Sequence, residues 1–485
     1  MSPPGRPQGE YRRARCEGAP VTAWLGIALL VASLLSSCAT APAPLNVEVP
    51  VPTVWLGTSG ALPIERDWWR GFGDPALEHL IDEALKRNLD LRQASERLAE
   101  ARALASAQYS AALPSLDFTS GGARSRSISD VSGQPYLATG HQSQFQAAYE
   151  VDLWGRVAAL STAANAGAEA ARTARDSVAL SVAASVASSY FNLRLIDAQL
   201  ELSHRTLVSR EQSLALTRSR HERGYASVLE SAQAEAELRA TAQAIPQWEL
   251  AAQRQERILN LLLARVLGPV DRGTPLLSLT ARGVPDAGLP SDLLRRRPDI
   301  VSAELQVAAA DAQLAATRAQ MLPSLRLSAA FGTVGSSAWR GDPFGIWSLG
   351  GSVLAPIFNG GRLRSLALAS ASRRDQALIA YERAVLASFA EVESQLAAFK
   401  LQREQLQQAE AQQLAVQSAL RIAGRRHREG YASYLDELLA QRSLFGVEKQ
   451  VLQLRADLLL TEVGIYRALG GGWGRTAQAT APMTP

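Results

Sequence analysis

Two cysteines and five histidines are the side chains of this 485-residue chain best suited to covalent, acid–base or metal chemistry. Cys16 sits among arginines near the N-terminus and Cys38 ends an apolar run, so no CxxC pair or Cys/His cluster exists to hold a metal, and no disulfide framework is expected. His79, His141, His204, His221 and His427 form no HExxH pair, and the GxSxG and P-loop patterns are absent. Gly57-Thr58-Ser59-Gly60 reads as a loop spacer. With no nucleophile–base pair and no metal set, neither enzyme activity nor a cofactor is expected. Two short patterns do carry local chemistry. Ser227-x-x-Glu230 and Ser433-x-x-Asp436, each opening three residues after a glycine, have the spacing of a capping box that starts a helix.

Composition narrows the classes further. A chain of this length has a prior of about three domains and ample material for a core. Hydrophobic residues at 47% and charged residues at 20% are ordinary for a folded protein, and no 20-residue apolar run beyond the N-terminus suggests a helical membrane protein. The 50 basic and 46 acidic residues are dispersed and leave only +4, so no nucleic-acid partner is expected.

The elements around Cys38 explain that cysteine. Arg12, Arg13 and Arg15 precede the apolar stretch Trp24 to Ala32, the basic and apolar regions of a secretory signal. Leu35-Ser36-Ser37-Cys38 resembles the lipobox of bacterial lipoproteins, which implies an acylated Cys38 as the new N-terminus and Cys16 discarded. Ala39 in place of Asp implies transfer to the outer membrane. The expected order begins with a signal peptide over 1–37 and a lipid anchor with a proline-rich, extended tether over 38–60.

Beyond the tether the chain repeats itself. Leu113-Pro114-Ser115-Leu116 recurs as Leu322-Pro323-Ser324-Leu325, an offset of 209. Gly155-Arg156 recurs as Gly361-Arg362, and His221-Glu222-Arg223-Gly224-Tyr225-Ala226-Ser227 as His427-Arg428-Glu429-Gly430-Tyr431-Ala432-Ser433, both at offset 206. One architecture is used twice: a first repeat over 61–267, a linker over 268–298, a second repeat over 299–470 and a tail over 471–485.

Within each repeat the pattern switches period. Asp74-Pro75 caps a helix expected to run to about Ala112, ended by Pro114. Leu116 and Phe118 then alternate with polar residues, a Gly/Ser-rich loop is expected over 120–140, and Phe145, Ala147, Tyr149, Val151 and Leu153 alternate again. Leu325 to Phe331 and Trp347 to Val353 repeat that strand pair. Residues 362–423 contain no Gly and no Pro, and Leu378, Tyr381, Val385, Phe389, Val392, Leu396 and Phe399 have coiled-coil spacing. Each rod would be on the order of 100 Å long. The returning helices, 227 to about 267 and 433 to about 469, cover only the half of a rod nearest the Gly turn, leaving the other half to the helix that ends at Pro114 or Pro323.

Four amphipathic strands of about 10 residues are long enough to cross a bilayer and too few to close, and a bilayer tolerates no open sheet edge. The barrel must be shared between subunits. Two copies give 8 strands with little or no lumen; three give 12.

Trp68-Trp69, Phe72-Gly73-Asp74-Pro75-Ala76-Leu77, Asn88-Leu89-Asp90-Leu91 and Leu293-Leu294-Arg295-Arg296-Arg297-Pro298-Asp299-Ile300 resemble the TolC-like outer-membrane efflux proteins. So do Asp152-Leu153-Trp154-Gly155-Arg156 and Pro356 to Arg362, and the lipobox is similar to that of the NodT/OprM-type lipoprotein branch. The resemblance covers about 60 to 470. It implies a mainly α fold with a membrane β-barrel: a long antiparallel helical coiled-coil tunnel plus four β-strands per subunit, a homotrimer forming the 12-stranded barrel. It also implies, as partners, outer-membrane lipid, a periplasmic adaptor and an inner-membrane pump, expected to be of the RND type. On the same ground the turns Gly224-Tyr225-Ala226-Ser227 and Gly430-Tyr431-Ala432-Ser433 are expected to dock the adaptor, and Asp436 to form a periplasmic gate, with Leu439 where the family has a second aspartate. Trp68, Trp69 and Phe72 are expected to pack the tunnel's middle band, and His221 and His427 to be solvated helix-end residues. Two other readings stand beside this one: an exit duct for type I polypeptide secretion, and a structural coiled-coil envelope lipoprotein, which would not need the four strands.

Overall fold

The computed structural model describes residues 51–57, 60, 62–128, 132–337 and 343–472. Cys38, the signal segment and the last 13 residues lie outside the described residues. The element order follows the repeat. In the first half come α1 (Pro75–Arg87), α2 (Leu89–Ser110), β1 (Ser115–Ile128), β2 (Pro135–Val151), α3 (Arg156–Glu222) and α4 (Val228–Leu262). In the second come α5 (Pro290–Arg296), α6 (Pro298–Ala319), β3 (Ser324–Ser336), β4 (Phe344–Leu354), α7 (Arg362–Arg428) and α8 (Tyr434–Ala468). Rods α3 and α7 are 67 residues each, and return helices α4 and α8 are 35 each.

At 1.5 Å per residue a 67-residue rod spans about 100 Å and a 35-residue return helix about 52 Å. The shortfall is met as the lengths require. Rod α3 packs against α2 and α4, and α7 against α6 and α8, while α3 also touches α6 and α8 and so joins the two halves. Part of α3 is apolar enough to cross a membrane by composition, but 72% of that window is buried inside the protein.

Two cores sit around the waist. In one, Trp68 stacks on Tyr466 at 5.1 Å and Phe72 meets Phe191 edge-on at 5.0 Å, with Trp69, Leu77, Ile81 and Leu259 buried beside them. The other is built on the coiled-coil stripe Val385, Phe389, Val392, Leu396 and Phe399, with Ile300 and Ile465. Asp74, fully buried, accepts from the backbone N–H of Ala76 and Leu77 at the start of α1, from the Tyr190 hydroxyl at 2.6 Å and from Thr274 N at 3.0 Å. A helix cap thereby becomes the bolt that holds the inter-repeat linker to the rod.

Three expectations need correction. The helix opened by Asp74 does not run through to 112: Asn88 is extended (φ −52°, ψ 133°), its side chain accepts from Leu91 N, and its amide donates to Leu262 O. Asparagine here acts as a second N-cap. Residues 120–140 are mostly strand, with β1 reaching Ile128 and β2 starting at Pro135, because the ladder from Ser115↔Ala148 to Ile128↔Pro135 is unbroken. Small residues weaken a lone strand, yet here every one has a paired neighbour. The end of the tether is also packed. Trp55 lies against Phe389 at 6.0 Å and donates to Gly288 O, and the N–H groups of Leu56 and Gly57 donate to Glu393.

Candidate functional site

The sheet has the order β1-β2-β3-β4, all antiparallel, so among the described residues one side of β1 and one side of β4 have no partner strand. Register separates its faces. Phe118↔Phe145↔Phe331↔Trp347 form a row across all four strands, with ring centroids 5.0 and 5.1 Å apart for the first two steps. Leu116↔Ala147↔Ala329↔Leu349 lie in the next row on the same face, and Tyr149↔Leu327 in the one after. The opposite face carries Asp117, Thr119, Gln142, Gln144, Gln146, Ser328, Arg326 and Ser348 by alternation. An apolar outer face and a polar inner one are the signature of a barrel wall between lipid and a wet lumen.

Where strand hands over to rod, both Asp152 oxygens accept from the first N–H groups of α3, at Val157 and Ala158. Arg156 pairs with Glu150 at 2.8 Å, and Trp154 donates to Pro323 O, tying the two hairpins' roots together.

At the far end of the rods the two turns are superimposable in their bonding. Gly224 and Gly430 have φ of +81° and +82°, the left-handed region that glycine enters without penalty. Gly224 N donates to His221 O and Tyr225 N to Arg220 O; Gly430 N donates to His427 O and Tyr431 N to Arg426 O. Tyr225 is 82% exposed and Tyr431 75%. Ala226 and Ala432 are half-buried, and Ser227 and Ser433 cap α4 and α8. Ser227 Oγ accepts from Glu230 N at 3.2 Å. Asp436 Oδ2 accepts from both Ser433 N and Ser433 Oγ. Asp436 is thus exposed and sits in a helix cap, on the same end of the molecule as both turns.

His427 is the residue that departs from the sequence expectation. His221 is exposed and bonds the Ala226 carbonyl, whereas His427 is 7% exposed. Its Nδ1 lies 2.5 Å from Glu437 and its Nε2 3.0 Å from the Arg220 guanidinium, which also donates to the carbonyls of His427 and Arg428. The tip of one half is thereby latched to the tip of the other. Farther up, buried Arg210 on α3 bonds Gln441 and pairs with Glu237, which also holds Arg442. Burial pulls the Arg210 guanidinium below its ordinary range. Sequence reading missed both clusters because their partners are about 200 residues apart and no short spacing marks them. Among the described residues no group of three His, Cys, Asp or Glu side chains is arranged to hold a metal.

Comparison with known proteins agrees with this geometry. The chain is 34% identical over 464 residues to the pyoverdine export outer membrane protein OpmQ of Pseudomonas aeruginosa, covering 92% of this chain and 97% of the relative. It is 34% identical over 478 residues to the toluene efflux pump outer membrane protein TtgC of Pseudomonas putida, covering 94% and 98%. Its fold superposes on the open state of the Neisseria gonorrhoeae MtrE outer membrane channel with a TM-score of 0.80 at 30% identity, over 90% of this chain and 99% of that one. Residues 80–265 and 289–471, the two halves of the rod-and-hairpin architecture, each match the outer membrane efflux protein model, and the chain belongs to the outer membrane efflux protein family.

Proposed function

We propose that three copies of this chain close a 12-stranded barrel in the outer membrane and continue it as a helical tunnel into the periplasm. The chain is then the outer-membrane channel subunit of a tripartite efflux system, a duct and not an enzyme. The observation that carries the reading is the four-stranded sheet with two unpaired edges, an apolar aromatic face and a polar face, mounted on 67-residue rods. An edge cannot stay open in lipid, so β4 of one copy must meet β1 of the next. The partners follow from the remaining ends. The exposed turns Gly224-Tyr225-Ala226-Ser227 and Gly430-Tyr431-Ala432-Ser433 are the surface for a periplasmic adaptor, through which an inner-membrane pump of the RND type would load the duct. Asp436 would stand as a ring of three carboxylates at the periplasmic mouth, and acylated Cys38 would anchor the chain to lipid.

Single-channel recording on detergent-purified protein in a planar bilayer tests the central claim. Discrete conductance steps from a species of three times the chain mass are expected; a monomer without conductance would overturn it.

A further inference from the structure

Charge on the β1–β2 hairpin is distributed against the logic of a barrel with a wet lumen. The β3 and β4 ladders run to Ser336 and Phe344, Thr139 still bonds Ser337, and among the described residues β2 residues 135–138 pair with β1 alone, so this hairpin extends past the described ends of β3 and β4 on the side away from the rods. Its two cations are Arg124, opposite Thr139, and Arg126, opposite Leu137. By the unbroken alternation from Phe118, both lie on the aromatic, outward face, and His141, opposite Gly122, lies there too. The inward face of the overhang carries Ala123, Ser125, Ser127, Tyr136, Ala138 and Gly140, with no charge at all. Both arginines are exposed, and neither has a carboxylate partner among the described residues.

Height decides what they meet. Arg124 is six residues past Phe118, about 20 Å along the strand and roughly 15 Å above the aromatic row once the usual strand tilt is allowed for. The aromatic row stands only three residues above the rod-side end of β1 at Ser115, so it marks the inner edge of an apolar band about 25 Å tall; Arg126 starts about 21 Å above it, and both long side chains extend upward to the outer headgroup layer, within reach of lipid and not of the lumen.

We propose that Arg124 and Arg126 form a binding surface for the phosphorylated sugar headgroup of an outer-leaflet glycolipid. Guanidinium groups hold phosphate oxygens in paired hydrogen bonds, and two of them on one strand face, two residues apart, match two phosphates on one headgroup better than they match a neutral lipid. The proposal rests on the barrel reading, because only a barrel in the membrane brings this face to the outer leaflet.

The test uses full-length trimer in a neutral detergent, titrated with diphosphorylated lipid A and, separately, with its dephosphorylated form, with bound lipid counted by native mass spectrometry. Wild-type trimer is expected to retain the diphosphorylated form, and Arg124→Gln/Arg126→Gln to bind it about thirtyfold more weakly, with the neutral form bound weakly and equally by both. Arg124→Lys/Arg126→Lys keeps the charge and loses the paired geometry; it should fall between them. Equal retention by wild type and the double Gln variant would overturn the proposal. If the Gln variant no longer forms trimers while the Lys variant does, with lipid retention unchanged in the latter, the arginines serve subunit pairing and the proposal also fails. Conductance of the same preparations separates this outcome from failure of the barrel reading: conducting wild-type trimers with phosphate-independent lipid binding sink only the lipid surface.

Discussion

The two tips have the same four residues in the same turn, yet the return helix that follows opens on an exposed side chain in the first and on a buried one in the second. At offset 206, Val228, Ser231 and Ala232 of the first return helix correspond to Tyr434, Glu437 and Leu438 of the second. Val228 is 68% exposed; Tyr434 is 1% exposed and packs with Leu214, Ala234 and Leu438. His427 bonds Glu437, whereas the first helix has Ser231 at that position and His221 bonds the Ala226 carbonyl, so only the second histidine has a carboxylate to hold it. Duplication preserves the backbone turn because glycine and the cap decide it locally. The packing diverges because three side chains on one face of a helix decide that, and they are free to differ.

The largest test of that contrast is truncation of the two corresponding residues. Tyr434→Ala empties a fully buried site on α8 and should cost about 4 kcal/mol, seen as a marked fall in the thermal midpoint of the purified trimer. Val228→Ala should change it by no more than about 0.5 kcal/mol. Because the Tyr434 hydroxyl has no hydrogen-bond partner among the described residues, Tyr434→Phe should be neutral or mildly stabilising. Equal losses at 228 and 434 would dissolve the asymmetry.

The return helices differ again at the waist. Glu256 and Glu462 correspond at the same offset, but Glu256 is paired with Arg272, whereas Glu462 is fully buried, takes one bond from Arg282 N and leaves its second oxygen without a hydrogen-bond partner among the described residues. Burial pushes the Glu462 carboxyl up to about 8. The folded form therefore holds a proton that the unfolded chain releases above about pH 4.5. Stability from this group is complete below that pH and is lost as pH rises through about 8. The loss should be on the order of 3 kcal/mol between pH 5 and pH 8. Glu462→Gln should flatten the decline, and Glu256→Gln should leave it in place while costing about 0.5 kcal/mol for a partly exposed ion pair. An unchanged slope in Glu462→Gln would show that another group sets it.

How much of this was legible follows the same division. The repeat, the rod lengths, the strand alternation and the glycine turns were readable, because each is set by residues within one or two turns of one another. Trp68, Trp69 and Phe72 were also placed correctly in the waist. The second cap at Asn88 was missed although the Asn88-Leu89-Asp90 signal was there, since periodicity carries on across it. The Gly/Ser stretch of β1 could not be read as strand from its own residues; its partner across the ladder makes it one. The Arg220–His427–Glu437 latch and the buried Glu462 depend on contacts between segments far apart in the chain, which spacing does not encode.

The latch gives the next effect in size. His427→Ala leaves a half-buried Glu437 without its partner and takes the imidazole from Arg220, whose bonds to the 427 and 428 carbonyls remain, at about 2 kcal/mol. His221→Ala removes one exposed bond to its own turn and should cost less than about 0.5 kcal/mol. Arg220→Met, which keeps much of the stem, should reproduce most of the His427→Ala loss, and the double variant should lose less than the sum, because both residues serve one network. Additive losses would mean that Arg220 and His427 act apart and that the tips are not latched.

The smallest effect separates the two meanings of Asp436. As a cap, its carboxylate accepts from Ser433 N and Ser433 Oγ, two bonds that an amide oxygen can also accept. Asp436→Asn should therefore cost under about 1 kcal/mol, and Asp436→Ala about 1 kcal/mol, close to Ser433→Ala. The corresponding Glu230 returns no such bond to its cap residue, so Glu230→Gln should be silent. A gate made of three carboxylates would respond differently, because it depends on charge and not on the cap bond. Carboxylates about 8 Å apart repel by roughly 2 kcal/mol per pair at an effective dielectric of 20 and hold multivalent cations strongly. Asp436→Asn would then relieve cation block from the periplasmic side with the thermal midpoint nearly unchanged, while Ser433→Ala would lower the midpoint and leave the block intact. If Asp436→Asn and Ser433→Ala move only the midpoint, and by similar amounts, Asp436 is a cap alone and the gate lies elsewhere.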